Sequence, residues 1–130
     1  MARGSTVERR KGADVRDISD VGAQRSAVVG YESTASGTEF GHFLAGARAG
    51  LEWAMRAATT APLSGIRATA TEQWITHEVQ LCEEVLGGRV VPQHADIHFV
   101  NGVEHALSWV LELELEPPVP SIPVPASTAS

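Results

Sequence analysis

Regular spacings of apolar positions recur along this chain, and each spacing implies a backbone. Gln24-Arg25-Ser26-Ala27-Val28-Val29-Gly30-Tyr31-Glu32 is β-branched at its centre and bounded by Gly22 and by Ser, Thr and Gly, so it predicts a strand. Ser36-Gly37-Thr38-Glu39 then has the form of a capping box, in which Ser36 and Glu39 satisfy each other's backbone donors. A helix is expected to follow. Phe40, Phe43, Leu44, Ala47, Leu51, Ala54, Met55 and Ala58 recur at helical spacing to about Thr59, and Pro62 closes the run. Gly46 and Gly50 add a stripe of small residues with Ala45 and Ala49. An interior glycine costs a helix roughly 1 kcal/mol relative to alanine, a cost that close packing on a second helix, or on the same helix of another subunit, would offset.

Thr69-Ala70-Thr71-Glu72 is a second capping box. Trp74, Ile75, Val79, Leu81, Cys82, Val85 and Leu86 follow at helical spacing, and Gly87-Gly88 supplies a left-handed stop. Ile66 to Trp74 also fits a Thr-rich strand, which leaves the first turn of this helix open.

After Gly88 the period falls to two. Leu107, Trp109, Leu111, Leu113 and Leu115 alternate with Ser108, Val110, Glu112, Glu114 and Glu116; upstream, Ala95, Ile97 and Phe99 alternate with His94, Asp96 and His98. Asn101-Gly102 between them is a turn signal. A three-residue loop, Val100-Asn101-Gly102 with Gly102 at positive φ, pairs Phe99 with Val103, Ile97 with His105 and Ala95 with Leu107, which puts the large apolar groups on one side. A hairpin over residues 94–116 is therefore predicted. The expected fold is α+β: a small β-α-α-β-β domain over residues 22–116, with a three-stranded, antiparallel-rich sheet and two helices on one face.

The hairpin has a chemical consequence. His94, Asp96 and His98 would share the polar face, with Glu104 as the cross-strand partner of His98. Two imidazoles and two carboxylates are donors suited to a divalent metal, so His94, Asp96, His98 and Glu104 form the candidate metal set. An amphipathic hairpin would show the same residues to water or to a partner protein. His105 falls on the apolar side, as a hydrogen-bonded core histidine. His77 and Glu78 do not complete a zincin helix, because Leu81 stands where the second histidine is needed. No phosphate-loop glycine pattern, nucleophile elbow or Cys/His pair is present, so no catalytic residue and no organic cofactor are assigned.

Composition narrows the function. The chain has 130 residues, 43% hydrophobic and 20% charged, which fits one domain. Residues 1–21 mix charge and glycine with few large apolar groups and read as a disordered head. Residues 117–130 read as an extended tail, five of the nine positions from Pro117 to Pro125 being proline. No apolar run approaches the ~20 residues of a membrane helix, and no apolar segment follows the basic start as in a secretory signal, so a cytoplasmic address is expected. Cys82 is the single cysteine, which forbids an internal disulfide and reads as a buried, inert thiol.

The net charge is -6. Arg3, Arg9, Arg10, Lys11 and Arg16 crowd the start, leaving the body acidic with scattered arginines, so specific nucleic-acid binding is not expected. Tyr31-Glu32-Ser33, the helix from Phe43 to Met55 and Pro62-Leu63-Ser64-Gly65-Ile66 together resemble part of the fourth domain of elongation factor G and related ribosome-protection factors. There a strand, a helix and a Pro-Leu-x-Gly turn lead into another strand. The likeness covers about a quarter of the chain and lacks the family's motif after that turn; it implies a ribosome-associated domain as an alternative and carries no site residues. The leading expectation is a non-catalytic, acidic protein-interaction or assembly module that self-associates, either an inhibitor or immunity-like protein for a basic partner or a subunit of a larger assembly. The competing expectation is a metal-binding protein or small metal-dependent enzyme.

Overall fold

A computed structural model describes residues 15–89 and 96–120. Among them are four helices, α1 (Ile18–Ala35), α2 (Glu39–Ala54), α3 (Glu72–Leu86) and α4 (Ile97–Val110), and a single isolated antiparallel bridge between Thr60 and Arg67. The described residues hold no sheet, so the α+β, β-α-α-β-β expectation is wrong: the domain is all-α. The basic start up to position 14, His94, Ala95 and the chain beyond Pro120 lie outside the described residues.

The segment expected to be the first strand is the middle of α1. Its buried positions are Val21, Gln24, Val28 and Ala35, a helical spacing obscured because one of the core side chains is a glutamine. Gln24 is buried because its Oε1 accepts the backbone N–H of Val119 at 3.0 Å, which satisfies a polar group that burial would otherwise penalise. Both boundaries of the domain move outward with it. The helix starts inside the expected head, at Ile18 behind the cap Asp17, and Val119 of the expected tail is buried in the core.

The expected hairpin is α4. Val100, Val103, Ala106, Leu107 and Val110 are buried at i, i+3, i+4 spacing, and Ile97, which a strand would have turned inward, is exposed. The Leu/Glu alternation is no strand face either: Leu113 and Leu115 are 72% and 85% exposed. Period two fitted because α4 happens to place an apolar residue at nearly every second position, and periodicity alone does not separate the two backbones over such a run. Gly102, expected to turn the hairpin, lies inside the helix and has no positive φ.

Gly102 is there for space. A Cβ on it would fall on the Phe43 carbonyl oxygen and 2.8 Å from the Ala47 nitrogen; a Cβ on Gly46 would fall on the Phe99 carbonyl oxygen. Gly50 faces Ala106 and Leu107. The small-residue stripe of α2 thus packs on a helix of the same chain, and each helix supplies a glycine to the other's backbone, an arrangement that favours Cα–H···O contacts. Gly46 against Phe99, Ala47 against Gly102 and Gly50 against Ala106 rise together on both helices, so α2 and α4 run parallel and their N-termini lie side by side. This is the most extensive helix contact; α1 packs on the rest of α2, and α3 on α4.

Both capping boxes are displaced by two residues. The caps are Thr38, accepting from Gly41 N at 2.9 Å, and Thr71, accepting from Trp74 N at 3.3 Å, each directly before its glutamate. Past their C-caps, all four helices turn through a left-handed residue: Gly37, Arg56, Gly88 and Glu112. At Arg56, Gly88 and Glu112 the paired bonds of a Schellman motif are complete. The loop from Ala57 to Ala70 is tied down from below. The buried carboxylate of Glu78 accepts from the backbone N–H groups of Leu63 (2.5 Å) and Ser64 (2.8 Å), and the Trp53 indole donates to Ala68 O at 2.8 Å.

Steric interlock and ordinary glycine softness have opposite signatures. Gly46→Ala and Gly102→Ala should each lower stability by about 1–3 kcal/mol, as overpacking does. Gly30→Ala, on α1 with nothing within 4 Å of the added carbon, should raise it by about 0.5–1 kcal/mol. Urea midpoints of the three variants check this. Glu78→Ala, which strands two amide donors, should cost about 2–4 kcal/mol in the same assay.

Candidate functional site

The parallel packing of α2 and α4 brings two helix N-termini together, and their first turns carry complementary side chains. Asp96 is the N-cap of α4, accepting from Phe99 N at 2.8 Å, and its other oxygen lies 2.5 Å from His42 Nδ1 on α2. His98 Nε2 of α4 is 3.6 Å from Glu39 Oε2 in the first turn of α2. Two imidazole–carboxylate pairs therefore cross the seam in opposite directions. The Asp96 carboxyl is held below the usual carboxylate range first by the Phe99 amide and then by His42.

Apolar side chains surround the pairs. Phe40 stacks on Phe43 with centroids 6.1 Å apart, and the ring of Phe43 meets His105 edge-on at 5.9 Å. His105 is half-buried, its Nε2 2.9 Å from the Glu116 carbonyl, so it joins the segment after α4 to this side of the bundle. Phe40 is 48% and Ile97 45% exposed, one in the first turn of each parallel helix. This end of the bundle thus combines two polar pairs with two uncovered apolar side chains.

The expected metal set is not assembled in this way. His94 lies outside the described residues. Asp96, His98 and Glu104 were expected on one face because alternate residues of a strand project together, and on a helix they do not. Glu104 is eight residues beyond Asp96, about 12 Å along the axis, where it accepts from Ser108 Oγ at 3.1 Å. No group of three or more His, Cys, Asp or Glu side chains among the described residues is placed to hold a metal. Sequence reasoning missed His42 and Glu39, the actual neighbours of Asp96 and His98. The available signal was the glycine pair Gly46 and Gly102, which, read as a helix crossing, would have aligned the two first turns.

Cys82 is buried on α3 as expected, and its thiol is pushed up first by burial and then by Glu78, the reverse of what a reactive cysteine needs. No helix of the described residues is long and apolar enough to cross a membrane. Tyr31, Glu32 and Ser33 belong to α1, so the strand on which the elongation-factor resemblance opens does not form. No known family model, curated protein or solved structure matches the chain.

Because its folded pKa is depressed, Asp96 stabilises the fold above its unfolded pKa of roughly 3.9, and that contribution disappears as pH falls through the lower folded value. Asp96→Asn keeps a good cap but cannot ionise. The variant should be less stable than wild type at pH 6 and close to it at pH 2.5, as read from urea midpoints at both pH values.

Proposed function

We propose that the protein is a non-catalytic, acidic interaction or assembly module, self-associating through the paired N-termini of α2 and α4. The exposure of Phe40 and Ile97 in the same two first turns that carry the His42–Asp96 and Glu39–His98 pairs supports this reading. Uncovered apolar groups gathered at one end of a molecule mark contact surfaces. The geometry also suits a two-fold: a self-complementary interface needs each donor type beside its acceptor, and this end offers imidazole and carboxylate from both helices. Pairing at a sheet edge has no place here, since the described residues form no strand. A cytoplasmic address belongs to the same proposal, supported by a lone cysteine kept buried rather than paired.

Salt dependence separates a second copy from a basic partner. Two copies of a chain with net charge -6 repel, so association driven by the apolar end should strengthen as sodium chloride rises from about 50 to about 500 mM, whereas a complex with a basic protein should weaken. Multi-angle light scattering at about 100 μM protein should give a mass above 13.8 kDa that falls to the monomer value in Phe40→Glu/Ile97→Glu, with helix content unchanged by circular dichroism. A wild-type monomer throughout that salt range would overturn self-association.

A further inference from the structure

On the other end of α2 the chain forms a cleft of about 240 Å³, lined by Arg56, Thr59, Arg67 and Thr69 with Ala58, Ala68 and Ala70 between them. The lining residues include two arginines and two threonines and no acidic residue, in a protein whose acidic side chains outnumber its basic ones. Three of the other arginines are engaged. Arg25 and Arg48 pair with Glu52 and Glu32, and Arg16 bonds to the Trp109 and Glu114 carbonyls. None of the ion pairs among the described residues involves Arg56 or Arg67.

Two further observations bear on the same cleft. Its walls are preformed: Thr60 bridges to Arg67, Ala61 N donates to Ile66 O at 2.8 Å, and the Trp53 indole holds Ala68. A site that needs no ordering on binding loses less entropy when it fills. Arg56 also occupies the left-handed position after α2, at φ 65°, where glycine would sit without strain. A positive charge beside a helix C-terminus is favourable by itself. That accounts for a cation at position 56 and leaves Arg67 in the same lining unaccounted for.

We propose that this cleft binds a small phosphate-type oxyanion, with Arg56 and Arg67 supplying paired N–H donors from two sides and Thr59 and Thr69 supplying hydroxyls. Guanidinium forks match the oxygen spacing of phosphate, and two of them balance its double negative charge. The site lies away from the apolar end assigned to assembly, so either assignment can fail without the other.

The test compares thermal unfolding and isothermal titration of the full chain in inorganic phosphate and in chloride, at matched ionic strength and pH 7.5. A dissociation constant on the order of 1 mM gives a rise of about 5 °C in about 10 mM phosphate. Arg67→Gln should abolish most of that rise and the binding heat. Arg56→Gly, which relieves the left-handed strain, should melt no lower than wild type in chloride and yet lose the phosphate response, an outcome that a purely structural arginine would not give. An equal rise in wild type and both variants would be the general stabilisation of compact states by an anion excluded from the protein surface and would overturn the site, as would the absence of binding heat in the wild type.

Discussion

The contact between α2 and α4 is set by the absence of two side chains. Gly46 and Gly102 let each helix press its backbone against a carbonyl of the other, and alanine at either position would place a carbon where an oxygen already is. Dispersion and weak Cα–H···O attraction both depend steeply on that distance. Everything else takes its position from this seam: α1 covers the rest of α2, α3 covers α4, and the buried side chains Leu44, Leu51, Val103 and Leu107 close around it. The conformational cost of glycine inside two helices is thus offset by a separation that no larger residue permits.

The same seam fixes the chemistry at one end of the bundle. Because the helices are parallel, their electropositive N-termini are neighbours, and both are answered by carboxylates, Glu39 in the first turn of α2 and Asp96 at the cap of α4. His42 and His98 sit across from them. An antiparallel arrangement would have set an N-terminus beside a C-terminus and left these four side chains on opposite ends of the molecule.

How legible this was from the sequence depended on which residues marked each element. α2 and α3 could be read, since Phe43, Leu44, Ala47 and Leu51, or Ile75, Val79, Cys82 and Val85, keep a clean helical period. α1 was hidden because Gln24 holds a core position and the adjacent valines Val28 and Val29 imitate a strand centre. α4 was hidden because Asn101-Gly102, a strong hairpin signal in isolation, is overridden by the tertiary need for a missing Cβ at position 102. Of the candidate site, Asp96 and His98 were named for the wrong backbone; their real partners Glu39 and His42 lie more than fifty positions earlier, a pairing that no local pattern encodes.

The chain is also fastened near its two ends. Arg16 donates through Nε to the Trp109 carbonyl and lies 4.6 Å over the indole of the same residue, across 93 positions of sequence, and Val119 reaches Gln24 across 95. During synthesis α1 therefore emerges long before Trp109 and Val119, the partners in these two contacts. α1 can dock on α2 as soon as both exist, whereas these two fastenings close only once α4 and the segment after it have formed, which makes them the long-range, late contacts of the domain.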